Sequence, residues 1–243
     1  MSGHSKWSNI KHRKEKGDAQ KAKLFTKVGR EIGMIVKAGG ADPAANPRLR
    51  DAIAKAKSNN VPNDNIQRMI QKASGDGDAA SYIEITYEGY GPGGVAVIVE
   101  TLTDNRNRTA GEIRHYFDKY GGNMGAAGCV SWQFERKGVL IIDGDGRDEE
   151  EFFMLALESG AADVENLGEV FEVTTTPDDF SSVSEALEQS GIAFLSAEIA
   201  LVAQNGVLLE ADDDCKNMQK MLEMFEDNDD VQNVYHNCEN EDL

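Results

Sequence analysis

The sequence has no apolar run that approaches the ~20 residues needed to span a bilayer. It is polar from Ser2 to Lys16, where a signal peptide would carry an apolar stretch. Cysteine is scarce, since Cys129, Cys215 and Cys238 are an odd number at unrelated spacings. This usage favours reduced thiols over a disulfide framework. We therefore expect neither secretion nor membrane insertion, and we predict a cytoplasmic protein.

Motifs for catalysis and metal binding are also missing. The 4 histidines show no metal-ligand spacing with the cysteines. No nucleophile, base and orienting partner can be assembled from motifs. The glycine loop 89–94 lacks the Lys-Ser/Thr pair of a P-loop, and a strand rather than a helix is predicted after it. We expect a non-enzymatic protein without a cofactor, a metal or an evident small-molecule substrate.

Charge is distributed very unevenly along the chain. Residues 1–75 hold 16 Lys+Arg against 6 Asp+Glu, a net of +10, whereas residues 76–243 carry a net of −28. The overall charge of −18 therefore hides a basic segment at one end. A clustered cationic segment is the usual electrostatic mark of a phosphate-binding surface. The sequence thus predicts a polyanionic partner, with nucleic acid as the leading candidate.

The first 76 residues are predicted to form a basic arm and a small helical bundle. Apolar residues recur every three or four positions between Asp18 and Ala38, which predicts a helix that ends at Gly39 and Gly40. Two shorter helices are predicted at 47–58 and 64–73.

Strands and helices mix after residue 76. A hairpin is predicted from the alternation in 82–88 and the β-branched run 95–101. Thr109 and Glu112 have capping-box spacing, which predicts the start of a helix, and a strand is predicted at 130–134.

The remaining chain is predicted to contain an inserted domain and a returning segment. Residues 138–204 follow a βαββαβ order, which is typical of a ferredoxin-like domain. The last segment is too small to bury a core alone, so we expect it to complete the sheet that begins at residue 82. Asn205-Gly206 could instead be a hairpin turn inside the third domain. The predicted fold is α+β with three domains: a helical bundle (1–76), a split α/β middle domain (77–137 with 205–243) and an inserted ferredoxin-like α/β domain (138–204).

The predicted nucleic-acid-binding residues are the cations of the arm and first helix, with one aromatic. Lysine and arginine would contact phosphates, and Trp7 could either stack on an unpaired base or pack the arm onto the body. The set comprises Lys6, Trp7, Lys11, Arg13, Lys14, Lys16, Lys21, Lys23, Lys27 and Arg30.

A possible second anion or partner site lies within residues 76–243, which are otherwise acidic. Arg106, Arg108 and Arg114 surround a predicted helix start, where they could bind an anion or pair with nearby carboxylates. Met124, in the glycine-rich run 121–128, could contact a partner or turn inward.

Several stretches resemble one known family. They are GHSKW with Ile10-Lys11, KLFTK with Arg30-Glu31-Ile32, YEGYGPGGVAVIVETLTDNRNRTA at 87–110, and DDVQNVYHN at 229–237. Across essentially the whole chain the sequence resembles the YebC family of regulatory proteins. It departs from the family pattern at Cys129, where serine is expected, and at 20–23, where Gln-Lys-Ala-Lys replaces Arg-Gly-Lys.

The resemblance implies a three-domain α/β regulator of gene expression. Members are described as transcriptional regulators that bind DNA, and others act as translation factors on ribosomes, including a mitochondrial translational activator and bacterial proteins that relieve stalling at proline-rich sequences. The resemblance favours a DNA-binding transcriptional regulator, whereas the physical arguments favour a ribosome-binding translation factor, because the acidic remainder would be repelled by a duplex. A protein with a ligand in an acidic cleft is the third class.

Overall fold

The computed structural model describes residues 18–75 and 82–240, with the backbone alone for residues 18–22 and 58. This part forms seven α-helices and two four-stranded antiparallel sheets, which confirms the α+β class. The helices are α1 (Asp18–Gly39), α2 (Pro47–Ser58), α3 (Asn63–Ser74), α4 (Arg106–Lys119), α5 (Glu149–Glu158), α6 (Phe180–Gln189) and α7 (Asp212–Asp227). The strands are β1 (Ile83–Tyr90), β2 (Ala96–Thr103), β3 (Asn123–Met124), β4 (Phe134–Asp143), β5 (Asp163–Asn166), β6 (Val170–Thr175), β7 (Phe194–Ala203) and β8 (Val231–His236).

The three N-terminal helices begin and end within one residue of the predicted positions. Asn46 caps α2, since its side-chain oxygen accepts the N–H of Leu49. The amide nitrogen of Asn46 donates to the carbonyl of Gly40 at 2.9 Å, which ties the end of α1 to the start of α2. Among the described residues, no helix has both the length and the apolar character that crossing a membrane requires.

The chain groups into two compact units. Among the described residues, one unit contains residues 18–31, 82–135 and 202–240, and the other contains residues 32–75 and 136–201. Each unit therefore includes segments that are distant in sequence, and each has one of the two sheets.

The sheet of the first unit has the strand order β3-β1-β2-β8. β1 and β2 form the predicted hairpin, with Tyr90 opposite Ala96. Gly93 has a φ of 62° in the connecting loop, and a side chain there would collide with Leu209. β8 pairs antiparallel with β2, so the C-terminal strand completes this sheet as expected.

Helices α4 and α7 contribute to the hydrophobic core of the first unit. Phe117 of α4 meets Phe225 of α7 with ring centroids 5.2 Å apart. The inward face of α7 is the predicted one, with Met218, Met221, Leu222 and Phe225 buried. Val97 and Val99 of β2 are buried in the same cluster. The apolar spacing in this helix therefore determined which face packs on the sheet.

The sheet of the second unit has the strand order β5-β6-β4-β7. Helix α5 lies between β4 and β5 in sequence, and α6 lies between β6 and β7, which is the βαββαβ order expected for this segment. Phe152 of α5 stacks on Phe171 of β6 with ring centroids 4.6 Å apart. Both rings belong to the buried cluster between the helices and the sheet.

The strand predicted at 130–134 is wrong. Residues Ser131–Gln133 form a turn of 3-10 helix, and β4 begins only at Phe134. The carboxylate of Glu88 accepts the N–H groups of Val130 and Ser131. Because these donors are used by a side chain, they are not free to join a ladder with a neighbouring strand.

His236 makes the stability of the fold depend on pH. Its side chain is buried at the end of β8, where Nδ1 accepts the N–H of Cys238 at 3.3 Å. Burial lowers the pKa of this imidazole from 6.5 to about 4, although Glu226 acts in the opposite direction. Between these two pH values the unfolded chain binds a proton that the folded chain does not, so stability falls as the pH falls.

We expect this histidine to account for a loss of about 2 kcal/mol in the free energy of unfolding between pH 7 and pH 5. His236→Gln should flatten the pH profile obtained from urea unfolding, whatever its effect at neutral pH. The matched control is His115→Gln, since His115 is exposed, and this variant should keep the wild-type slope. Equal slopes for wild type and His236→Gln would contradict the prediction.

Candidate nucleic-acid interface

Three cations of the predicted interface lie on α1 and contact the end of α7. Lys23 Nζ lies 2.9 Å from the carboxylate of Asp227. Lys27 Nζ donates to the carbonyl of Glu226 at 2.8 Å. Arg30 donates to the carbonyl of Asp229, also at 2.8 Å. The structure thus places these three predicted phosphate contacts against acidic groups and carbonyls of the same chain.

The end of α7 explains why cations gather there. The last carbonyls of a helix have no partner within it and carry the negative end of the helix dipole. α7 has no basic residue in its last turn, and it ends with Glu226 and Asp227. The hydrogen bond to Asp227 raises the pKa of Lys23 above its ordinary value. The cations of α1 therefore supply from another helix the positive charge that α7 lacks.

The other predicted contacts of the arm lie outside the residues that the structure describes. They are Lys6, Trp7, Lys11, Arg13, Lys14 and Lys16. Lys21 lies on α1, but its side chain is also outside the described part. Their role as phosphate contacts stays a prediction.

A buried carboxylate, Asp230, joins the loop after α7 to three other elements. Its Oδ2 accepts hydrogen bonds from Arg108 at 2.6 Å, from Thr109 at 2.8 Å and from Thr103 at 3.0 Å. Its Oδ1 accepts from Arg30 at 3.2 Å. One side chain thus connects α1, β2 and α4.

The environment of Asp230 favours its charged form. Burial would raise the pKa of this carboxyl, but Arg108 and the two threonine hydroxyls outweigh burial and hold the pKa below its usual range. Asp230 and Asp104 in turn raise the pKa of Arg108. The sequence left two alternatives for the second anion site, namely anion binding or pairing with nearby carboxylates. In the structure, Arg108 pairs with the carboxylates of Asp230 and Asp104. Arg106 and Arg114 are exposed on α4.

The start of α4 differs from the sequence prediction. The helix begins at Arg106, and Asn105 caps it by accepting the N–H of Arg108 at 3.1 Å. The capping box predicted from Thr109 and Glu112 is wrong, because Thr109 lies inside the helix with its hydroxyl bound to Asp230. Asn105 satisfies the same need for an acceptor at the helix start.

A second buried carboxylate, Glu88, organises the glycine-rich loop. It accepts the N–H of Gly128 at 2.8 Å, of Val130 at 2.9 Å and of Ser131 at 2.8 Å. Burial would raise the pKa of Glu88, but these backbone donors lower it below the ordinary value of 4.5. A loop with many glycines is thereby held by one ionised side chain.

Met124 is half-buried and packs against the core of the first unit. It forms the short strand β3 with Asn123, which lies opposite Tyr90 on β1. Of the two predicted alternatives, the structure has the inward-turned methionine.

The structure exposes two aromatic rings that sequence analysis did not identify. Trp132 is 67% exposed and Tyr90 is 38% exposed. Trp132 was overlooked because residues 130–134 were predicted as a strand, and Tyr90 was treated only as part of a hairpin loop. In the described part of the chain, no cluster of three or more His, Cys, Asp or Glu residues could hold a metal ion.

Asp230→Asn should lower the free energy of unfolding by about 1–3 kcal/mol, because an amide has one acceptor oxygen for the donors of Arg108, Thr109, Thr103 and Arg30 that two carboxylate oxygens accept. Urea unfolding at neutral pH measures this loss. Asp229→Asn is the matched control, since Asp229 is exposed and keeps the carbonyl that Arg30 contacts. The control should stay within about 0.5 kcal/mol of wild type. Equal losses in both variants would show that Asp230 is not the centre of this network.

Glu88→Gln should loosen the glycine-rich loop, because an amide offers one acceptor oxygen where the carboxylate offers two. We expect amide hydrogen exchange at Gly128, Val130 and Ser131 to become at least about tenfold faster. Since the pKa of Glu88 is lowered, the wild-type loop should keep its protection above pH 4.5 and lose it as the pH falls further. Glu84→Gln, at an exposed position of the same strand, should leave exchange unchanged. Wild-type exchange rates in Glu88→Gln would contradict this role.

Comparisons with known proteins identify the family. Residues 5–76 match the family model described as the TACO1/YebC protein N-terminal domain, and residues 82–238 match the TACO1/YebC second and third domain. The chain is 56% identical over 243 residues to a protein of Caldicellulosiruptor saccharolyticus named "Probable transcriptional regulatory protein", with 100% of both chains covered. A protein of Acetivibrio thermocellus with the same name is 56% identical over 238 residues, with 98% of each chain covered. The crystal structure of a conserved hypothetical protein from Aquifex aeolicus matches with a TM-score of 0.82 at 44% identity, covering 93% of each chain. The chain therefore belongs to the TACO1/YebC family.

Proposed function

We propose that the chain is a non-enzymatic regulator of gene expression that binds DNA through its N-terminal region and acts on transcription in the cytoplasm. The observation that carries this proposal is the charge asymmetry, with a net of +10 in residues 1–75 against −28 in the rest. Two relatives that cover almost the entire chain carry the name "Probable transcriptional regulatory protein".

The contacts of α1 restrict where the phosphates would bind. Lys23, Lys27 and Arg30 already have acidic groups or carbonyls as partners within the chain. These contacts hold the three cations beside Asp227, Asp229 and Asp230, whose negative charge would repel a phosphate. The phosphate contacts we propose are therefore mainly the cations of residues 1–17, which hold five Lys or Arg and one Glu.

The acidic remainder of the chain favours docking by one end of the molecule. A surface with a net charge of −28 would be repelled by a duplex approached along its length. Lysine contacts attract phosphates without distinguishing bases, so they supply affinity rather than sequence specificity. We keep the three predicted domains (1–76, 77–137 with 205–243, and 138–204) as part of the proposal, with the first as the binding domain.

Neutralising the N-terminal cations should weaken DNA binding and reduce its dependence on salt. The variant carries glutamine at Lys11, Arg13, Lys14 and Lys16, and binding to a duplex is measured by fluorescence anisotropy between 50 and 200 mM salt. Each lost phosphate contact should reduce the slope of log K against log salt by about 0.9.

The matched control also removes three lysines and one arginine, at exposed positions of the acidic part: Lys119, Arg136, Lys216 and Lys220. It should keep the wild-type salt slope and lose less affinity than the N-terminal variant, because these positions lie outside the basic segment and act only through long-range charge. An N-terminal variant with wild-type affinity and slope would overturn the proposed interface. Wild-type protein that binds no duplex would overturn DNA binding itself.

A further inference from the structure

Trp132 and Tyr90 share one anchoring atom. The indole Nε1 of Trp132 donates to the carbonyl of Cys129 at 3.1 Å, and the hydroxyl of Tyr90 donates to the same carbonyl at 3.3 Å. The polar edge of each ring is therefore directed at one point of the backbone. Both aromatic residues nevertheless remain substantially exposed to solvent.

The shared carbonyl is held in place from both sides. Glu88 accepts the N–H of Gly128, just before Cys129, and the N–H groups of Val130 and Ser131, just after it. Tyr90 lies two residues after Glu88 on β1, which is hydrogen-bonded along its length to β2. These hydrogen bonds already order the backbone next to the two rings. A ligand that contacts the rings therefore pays little conformational entropy for ordering the loop.

The surroundings of the rings suit a flat ligand. The loop residues Gly125, Ala126, Ala127, Gly128 and Ser131 are all exposed and all small. In a protein interface, aromatic anchors are surrounded by contacts that exclude water. The exposure of Trp132 and Tyr90 instead leaves ring surface that a planar group can contact. Nucleobases are planar, and every base has a face that can stack on an aromatic ring.

We propose that Trp132 and Tyr90 form a stacking platform for unpaired bases of a single-stranded nucleic acid segment. This inference rests on the proposed nucleic-acid binding, and it adds a contact that the cationic N-terminal region does not supply. Bases inside a duplex are already stacked and paired, so the platform selects strands whose bases are free. Phosphate attraction by the basic segment would then offset the repulsion from the acidic part and make the affinity salt-dependent, and stacking would supply the rest.

Trp132 can be observed directly, because the chain has only two tryptophans. In a Trp7→Phe background, all tryptophan emission comes from Trp132. A single-stranded oligothymidine of 20 nucleotides should quench this emission, since an aromatic ring in contact with a base loses fluorescence. A blunt duplex of the same length should bind through the basic segment and leave the emission unchanged.

Substitution measures the contribution of the ring. Trp132→Ala should weaken binding of the single strand at least about fivefold, Trp132→Phe should recover part of the affinity, and neither variant should alter binding of the duplex. Leu208→Ala is the matched control, because Leu208 is another highly exposed large apolar residue of the same unit. The melting temperature of each variant should match wild type, since these side chains are exposed.

The outcomes separate this inference from the proposed function. In Trp132→Ala the slope of log K against log salt should be unchanged, whereas the N-terminal variant reduces that slope. Single-strand binding with no quenching and no effect of Trp132→Ala would overturn the platform and leave nucleic-acid binding intact. Loss of self-association in Trp132→Ala, measured by sedimentation, would show a contact between copies of the chain and also overturn the platform. If neither strand nor duplex binds the wild-type protein, both proposals fail.

Discussion

The first unit depends on one buried negative charge. Asp230 accepts hydrogen bonds from Arg108, Thr109, Thr103 and Arg30, so it connects two helices and a strand with the loop that enters β8. The backbone carbonyl of Asp230 accepts the N–H of Leu102 at 2.7 Å. This hydrogen bond lies next to the first paired residues of β8 and β2. A buried carboxylate is tolerated only when its oxygens are satisfied, so the partners have to be in place together. This requirement explains why arginines and threonines distant in sequence are found around it.

Glu88 stabilises a loop in the same way, as a buried carboxylate that accepts several hydrogen bonds. Glycines give the chain between β3 and β4 access to many conformations, and the ordinary cost of ordering such a loop is high. Three backbone N–H groups directed at one carboxylate offset part of that cost, and the lowered pKa of Glu88 reflects this stabilisation of its charged form. As a result, the Cys129 carbonyl has a defined position, and so do the two rings that are bound to it.

Periodicity predicted the regular elements, whereas hydrogen bonds between polar side chains and the backbone account for the errors. The apolar spacing of Met218, Met221 and Phe225 was sufficient to place the face of α7, because burial of a helix face depends on local sequence. The strand predicted at 130–134 and the helix start predicted at Thr109 failed for another reason. Glu88, a carboxylate from a distant position, accepts the N–H groups of Val130 and Ser131. Asn105 caps α4 four residues before Thr109. A single sequence shows which residues can pair, but it does not show which distant partner a polar side chain will meet.

The contacts of α1 change which cations of the basic N-terminal segment we expect to bind a polyanion. Counting charge alone treats every lysine and arginine as available, and on that basis α1 belonged to the interface. α7, however, ends in acidic residues where helices favour cations, and Lys23, Lys27 and Arg30 compensate for this. Part of the positive charge therefore stabilises the fold. A phosphate that reached these cations would also approach Asp227, Asp229 and Asp230, whose negative charge would repel it. The proposed interface therefore relies mainly on the first 17 residues, where the sequence has five Lys or Arg and one Glu.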